Sequence, residues 1–360
     1  VGRTTGPAAI DKAKLLEKDF GKTDQADKKR DEAIKDLLLL IQKAVKDSPR
    51  KADMIFRLAE LYWEKSRFLY YKEYKEYEKV YEKWVNAGGK GNAPKIPDYT
   101  RGSEVVKKQA LNLYKKVLAE YPSYARNYEV LFFLGFNEYE AGNHDKAVSH
   151  YWELIKKFPK SKYVGNSYLN LGEHFFNTNN VLKAKKAYEK AYEGADPANA
   201  SYALYKLAWC DFNIQEYVAG IVKLKKVIVT SEQNKAQKSV QLKSEALNDL
   251  ALFFAHTEEV DGAYRYYRSK ITDEETHKKM AKLAKIYNGQ GKHNFEVAVY
   301  KLLIEKEPYA EKAPSHQSAI VRAFASLNQK DLVRENILRL IEQYRPGSPW
   351  YIYQEQNKRK

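Results

Sequence analysis

The chain has 360 residues, of which 44% are hydrophobic and 31% are charged, and its formal net charge at pH 7 is +16. This composition excludes a wholly disordered chain, and no apolar run approaches the ~20 residues that a membrane-spanning helix needs. Its single cysteine, Cys210, excludes an intramolecular disulfide and an all-cysteine zinc site. The basic excess is compatible with an anionic partner, although lysines on exposed helix faces would also keep an elongated protein in solution.

The N-terminal region is predicted to hold a tail and the first helical segment. Residues 1–9 are expected to be disordered, as chain termini commonly are. Apolar residues recur at helical spacing over residues 31–46, which predicts a helix that packs as the second member of a pair. The residues that carry this pattern are Ala33, Leu37, Leu40, Ile41 and Val45.

The next helical pair is interrupted by a long insertion. Residues 58–63 are predicted to form its first helix and residues 105–121 its second, so the insertion covers residues 64–104. Six aromatic residues at intervals of 7, 4, 3, 4 and 3 share one helix face, which predicts that the insertion begins by continuing the first helix. They are Trp63, Tyr70, Tyr74, Tyr77, Tyr81 and Trp84. This stripe either packs against the protein itself or is a secondary docking helix for a partner or for self-association.

The rest of the sequence is repetitive. Small residues suited to close helix contacts recur at intervals of 37, 36, 43, 33 and 37: Gly135, Gly172, Ala208, Ala251, Ala284 and Val321. A second column, in step with the first, consists of Ala110, Ala147, Ala184, Gly220 and Ala263. Each unit has the pattern of a helix-turn-helix. Because one hairpin cannot bury its apolar face alone, the units are predicted to stack into an all-α solenoid.

Two consecutive units resemble the tetratricopeptide repeat. The first matches its pattern at Leu134, Gly135, Gly142, Ala147, Tyr151 and Pro159, and the next at Leu171, Gly172, Ala184, Tyr188 and Ala191. The resemblance implies a right-handed superhelix of helix-turn-helix units. Later units depart from the pattern, since Gly220 replaces the second-helix alanine and Ala251 and Ala284 replace the first-helix glycine.

The expected organisation has four parts. Residues 1–30 form an N-terminal tail and helix, and residues 31–230 form an N-terminal tetratricopeptide solenoid that contains the insertion. Residues 231–345 form degenerate repeats of the same kind, and residues 346–360 form a C-terminal tail.

The resemblance also implies a concave surface lined by the first helix of each unit. Carried over onto this sequence, it predicts a partner-binding groove at Phe132, Phe136, Tyr139, Leu169, Glu173, Phe176, Tyr205, Trp209 and Phe212. Aromatic side chains dominate binding hot spots because they offer a large contact area at a small cost in rotamer entropy. Some of these side chains could instead belong to the core between helices.

No residue pattern supports catalysis, so the chain is not expected to be an enzyme. The seven histidines never stand at i, i+4, and the loop at residues 88–91 lacks the Ser or Thr that a phosphate-binding loop needs after its lysine. No metal and no cofactor are therefore expected. Nucleic acid is not the expected partner, because lysines such as Lys183, Lys185, Lys186, Lys190, Lys223, Lys225 and Lys226 lie on second helices, predicted to face away from the groove.

A second resemblance covers roughly residues 30–230, through segments such as residues 130–135, 172–177 and 202–210. These segments look like tetratricopeptide proteins of the cell envelope in myxobacteria-like and predatory bacteria, including adventurous gliding motility proteins. The resemblance implies a scaffold or adaptor for an extended or helical protein segment, in the periplasm or a membrane-associated envelope complex, with a cytoplasmic location as the alternative. The alternative function is binding of an anionic polymer, either a cell-wall polymer or nucleic acid, through the basic outer face. The chain begins at Val1 without a leader, which predicts a mature or trimmed segment.

Overall fold

The computed structural model describes residues 24–45, 48–233 and 237–358. Within these residues the regular structure consists of sixteen α-helices and one short 3-10 helix, Ile96–Asp98, without a β-strand. The prediction of an all-α fold built from helix-turn-helix units is confirmed. Residues 1–23 lie outside the described residues, and so does the tail predicted at residues 1–9.

The chain divides into two compact units, Val1–Asn179 and Asn180–Lys360. The described helices of the first unit are α1 (Asp24–Lys43), α2 (Pro49–Asn86), α3 (Arg101–Glu120), α4 (Asn127–Glu140), α5 (His144–Lys157) and α6 (Val164–Asn177). Each of the first five packs on the helix that follows it in the chain. The boundary expected at residue 230 therefore falls inside the second compact unit.

The second unit continues the same arrangement with ten helices in its described part. They are α7 (Val181–Gly194), α8 (Pro197–Asn213), α9 (Tyr217–Gln233), α10 (Gln237–Thr257), α11 (Val260–Arg268), α12 (Asp273–Gly289), α13 (His293–Lys306), α14 (Ala313–Ser326), α15 (Lys330–Tyr344) and α16 (Pro349–Lys358). Consecutive helices again pack together, and α10 also packs on α12, past the short helix α11.

Short local signals fix where several helices begin. Asp196 caps α8, its carboxylate accepting hydrogen bonds from the backbone N–H groups of Ala198 and Asn199, and Pro197 occupies the first helical position. Ser48 and Thr272 cap α2 and α12 in the same way. These caps satisfy backbone donors that have no partner inside the helix.

The small-residue columns lie where two helices approach most closely. Ala110, Ala147 and Ala184 are fully buried, and the tyrosines four positions after them, Tyr114, Tyr151 and Tyr188, are also buried. A Cβ atom on Gly135 would lie 2.7 Å from Cε1 of Tyr151, which explains the glycine. A Cβ atom on Gly220 would lie 2.5 Å from Cε1 of Phe253, so glycine replaces the alanine of the column because a ring of α10 fills the space.

The turn inside each hairpin contains one residue with a left-handed backbone. Its φ is positive at Gly142, Asn179, Gln215, Glu258, Gly291 and Asn328. These positions follow one another at 37, 36, 43, 33 and 37 residues, the same intervals as the first small-residue column. The turns therefore repeat in register with the core, including the units in which the sequence departs from the repeat pattern.

Two terminal segments differ from their predicted boundaries. Helix α1 begins at Asp24 and ends at Lys43, and Lys46, the predicted end, lies outside the described residues. The predicted C-terminal tail contains α16, because its side chains find partners near α14. Trp350 Nε1 donates to the carbonyl oxygen of Ala310 at 2.9 Å, and the rings of Tyr309 and Tyr353 lie 4.9 Å apart.

Candidate protein-binding groove

Helix α4 supplies three of the predicted groove residues in the first unit. Phe136 is 41% exposed, and Phe132 and Tyr139 are half-buried. Phe132 stacks on Tyr163, with ring centroids 4.5 Å apart and an angle of 17° between the rings. Tyr163 lies in the turn before α6 and holds Phe132 in place, so the exposed ring of Phe136 stands beside an immobilised aromatic surface.

Helix α6 supplies the other three predicted residues of this unit, and one of them is not at the surface. Glu173 and Phe176 are half-buried, whereas Leu169 is only 9% exposed. The prediction of an exposed groove position is therefore wrong for Leu169. It lies on the side of α6 that packs into the unit, where an aliphatic side chain gains by leaving water.

A polar cluster at the ends of α4 and α6 was not predicted. Asn177 Nδ2 donates to the Tyr139 hydroxyl at 3.2 Å, and the Tyr139 ring lies edge-on to His144 at 4.7 Å. The rings of His144 and His174 are 6.0 Å apart. Burial, together with the nearby His144, lowers the pKa of His174. The signal was present in the sequence, since Tyr139 and Asn177 occupy nearly equivalent places in consecutive repeats.

In the second unit, Tyr205 is in the core. It is 3% exposed, and its hydroxyl donates to Oδ2 of Asp249 at 2.6 Å. Burial raises the pKa values of both Tyr205 and Asp249, so the tyrosine hydroxyl keeps its proton and remains the donor. The prediction of an exposed position is wrong for Tyr205, because α10 brings the half-buried carboxylate of Asp249 to its hydroxyl.

Trp209 and Phe212 are half-buried and belong to an aromatic cluster centred on α8 and α10. Phe253 lies 5.5 Å from Trp209 and 4.8 Å from Phe212, measured between ring centroids. His256 contacts Phe212 edge-on at 5.1 Å and stacks on Tyr217 at 4.3 Å. These contacts hold the Trp209 and Phe212 side chains in place on a partly exposed surface of the second unit.

The aromatic stripe of α2 forms a continuous ladder along one side of the helix. Neighbouring rings from Tyr70 to Trp84 have centroids 5.7 to 6.0 Å apart. The protein's own loop covers part of this ladder, since Tyr99 contacts Tyr77 at 5.8 Å and Trp84 Nε1 donates to the carbonyl oxygen of Lys90 at 3.1 Å. Tyr81 remains 40% exposed. The stripe thus packs partly on the protein itself and leaves one ring available to a partner.

Several lysines expected on the outer face make contacts within the second unit. Asp211 is fully buried, and Lys185 and Lys223 both pair with its carboxylate. Burial acts to lower the pKa of Lys185, but its hydrogen bonds to Asp211 and Glu216 raise the pKa overall. Lys225 lies over the Tyr266 ring at 4.6 Å. Lys185, Lys223 and Lys225, predicted on the outward face, are half-buried, because acidic and aromatic groups on neighbouring helices hold them.

In the part of the chain that the structure describes, no helix is long and apolar enough to cross a membrane. No group of three or more His, Cys, Asp or Glu side chains within it has an arrangement that could hold a metal ion.

The family comparison points to the hairpin that carries Phe136. A tetratricopeptide repeat model matches residues 129–161, which span nearly all of α4 and the whole of α5. Residues 129–161 are similar to a tetratricopeptide repeat. This match agrees with the repeated arrangement of helices and turns in each unit.

One curated relative and two solved structures extend the comparison. The chain is 24% identical over 230 residues to the outer membrane protein assembly factor BamD of Caulobacter vibrioides, covering 63% of this chain and 69% of BamD. It is similar to a tetratricopeptide repeat protein from Parabacteroides merdae (16% identity, 80% and 98% of the two chains, TM-score 0.39). It is also similar to the apo form of RapI (13% identity, 92% and 98%, TM-score 0.43). These comparisons give no support to the resemblance to gliding motility proteins.

Proposed function

We propose that this chain is a non-catalytic scaffold or adaptor that binds a segment of another protein in a bacterial cell-envelope assembly. The observation that carries the proposal is the exposed ring of Phe136 beside the fixed Phe132–Tyr163 stack, within the hairpin matched as a tetratricopeptide repeat. Distant similarity to an outer membrane protein assembly factor supports the envelope part.

The proposed groove in the first unit favours a segment with apolar or aromatic side chains. Phe132 and Phe136 supply apolar contact area, and the Tyr139 hydroxyl, already oriented by Asn177, supplies a polar contact. A surface whose side chains are held before binding loses little conformational entropy when a partner docks. Trp209 and Phe212 are proposed to serve the same purpose on the second unit, and Glu173 and Phe176 on the first.

The proposal includes an envelope or periplasmic location, with the cytoplasm as the alternative. A role in gliding motility rests on the sequence resemblance alone. The α2 ladder is proposed as a second docking or self-association surface, centred on Tyr81. Binding of an anionic polymer is the competing function, supported by lysines that remain exposed, such as Lys186 and Lys226.

Phe136→Ala tests the groove. The substitution removes an exposed ring, so the fold should be retained, while a hot-spot loss of about 2 kcal/mol would weaken partner binding roughly 30-fold. The measurement is crosslinked affinity capture from a bacterial envelope extract. Trp152→Ala is the matched control, because Trp152 is 44% exposed but lies on the second helix of the same hairpin. Identical captures by wild type and Phe136→Ala would contradict the proposal.

A further inference from the structure

A basic cleft lies in the second unit, where the repeat is least regular. Helix α11 has only nine residues, and the turn that follows it opens a cleft of about 560 Å³ between α10 and the start of α12. Four lining residues are basic, namely Lys243, Arg268, Lys270 and Lys279. Arg268 pairs with Asp273, and Glu275 is the acidic residue among the described lining residues. The proposed groove contains none of these residues, so this inference does not rest on the proposed function.

The lysines in the cleft have too few carboxylates around them. Lys243 and Lys270 share one carboxylate, that of Glu232, with Nζ atoms 3.2 and 3.1 Å from its two oxygens. Burial acts to raise the pKa of Glu232, but the two lysines lower it overall. One negative charge thus balances two positive charges on this side.

Lys279 is half-buried and has a neutral partner. It donates to the side-chain oxygen of Asn248, while the neighbouring Lys282 donates to the Asn248 carbonyl oxygen at 2.9 Å. Among the described residues, no carboxylate lies within ion-pair distance of Lys279. Burial, and then the charge of Lys282, lowers the pKa of Lys279. An ammonium group removed from water is stabilised by an opposite charge; Glu275 and Asp249 act on Lys279 from beyond ion-pair distance and do not offset its burial.

Hydroxyl groups complete the lining, at Ser244, Ser269 and Thr272. The Ser269 hydroxyl donates to the carbonyl oxygen of Tyr266 at 2.7 Å, and Thr272 caps α12, whose acidic first turn begins at the edge of the cleft. Hydroxyl groups and ammonium groups together suit a compact anion with several acceptor oxygens. Lysine acts on such a group as a mobile point charge and needs no planar partner.

We infer that this cleft binds a phosphate monoester group, with Lys243, Lys270 and Lys279 as its cationic contacts. A dianion supplies the close opposite charge that Lys279 lacks and competes with Glu232 for the other two lysines. The group could belong to a small phosphorylated molecule or to a phosphorylated side chain of a partner, and the chemistry of recognition is the same for both.

Isothermal titration calorimetry at moderate salt tests the inference with three probes: inorganic phosphate, O-phosphoserine, and a phosphoserine peptide beside its unphosphorylated form. Saturable binding of O-phosphoserine is expected, and tighter binding of the phosphopeptide would identify a protein-borne group as the source. The double variant Lys270→Gln with Lys279→Gln should lose at least about 10-fold in affinity, because it removes two of the three cationic contacts to the anion.

Lys278→Gln is the matched control. Lys278 stands next to Lys279 on α12 but is exposed and pairs with Glu274, so removing the same charge there should leave the affinity within about 2-fold. If the double variant is less helical by circular dichroism, Ser244→Glu replaces it, because an added carboxylate at the exposed rim should exclude the anion without touching the Glu232 pairs. The inference is overturned by absence of saturable binding to wild type, or by equal affinities in wild type and the cleft variant.

Discussion

At the residue scale, Gln215 carries backbone strain that the hairpin turn imposes. Its φ is 64°, in the region that residues with a Cβ atom rarely adopt, whereas the equivalent turns at residues 142 and 291 use glycine. Gln215→Gly should therefore raise the free energy of unfolding by about 1 kcal/mol, as the steric cost of the left-handed conformation is removed. Urea unfolding followed by circular dichroism measures the change.

A control for this prediction exists in a later repeat. Gln329 is also exposed and precedes a second helix, but its φ is −92°. Gln329→Gly relieves no strain and should leave stability unchanged or reduce it, because glycine gains more freedom on unfolding. Equal stabilisation at both positions would show that the left-handed backbone is not the cause.

A buried histidine makes the second unit sensitive to acid. Burial, and then His277 and Lys312, lowers the pKa of His316 to about 4 from its ordinary value of 6.5. The His316 ring is stacked between two others: the His277 ring lies 4.9 Å away and the Tyr300 ring 5.0 Å away, measured between centroids. Nδ1 of His277 in turn lies 3.0 Å from Oε2 of Glu307. Between these pKa values the unfolded chain binds the proton more readily than the folded one, so stability is lost as the pH falls from about 6.5 towards 4.

The substitution His316→Asn should reduce this acid sensitivity. The fall in unfolding midpoint between pH 6.5 and pH 4 is expected to be smaller in the variant than in wild type, because one proton acceptor of the unfolded state is gone. Thermal unfolding in matched buffers provides the comparison. An unchanged fall would mean that other groups carry the acid response.

At the element scale, the α2 ladder shows how far a spacing pattern can be interpreted. The 3–4 spacing correctly predicted one continuous helix, because side chains at those intervals share a face whatever they contact. It could not reveal which rings are covered. That depends on Tyr99 and on the carbonyl group of Lys90, which lie in a loop whose path the helical pattern does not determine.

The exposed part of the ladder leads to a prediction about self-association. Tyr81 and Val85 are 40% and 49% exposed one helical turn apart, so Tyr81→Ser with Val85→Ser should weaken self-association while leaving the thermal midpoint nearly unchanged. Sedimentation velocity over a range of concentrations provides the measurement. Val105→Ser, at a 60% exposed position on α3, is the control. A wild-type chain that stays monomeric throughout would exclude self-association through the ladder.

At the scale of the whole molecule, the repeat was predictable and the partners between helices were not. Small residues recur every 33 to 43 positions because each hairpin needs a close contact, and that requirement is visible in the sequence. Tyr205 is buried because Asp249, 44 residues away, meets its hydroxyl group, and Lys185 is held by the buried Asp211. Such pairings arise from the packing of one helix on another, so an expectation from the spacing within a single helix misses them.

The net charge of +16 allows the proposed function and its competitor to be separated with salt. Pairing with Asp211 already engages Lys185 and Lys223, which reduces the charge that the outer face offers to a polymer. Capture from an envelope extract should therefore change little between 0.1 M and 1 M salt, although the Debye length falls from about 10 Å to about 3 Å. The free energy of apolar contacts at Phe136 does not depend on the Debye length. Loss of the captured proteins at high salt, with polyanions enriched at low salt, would instead assign the binding to the basic face.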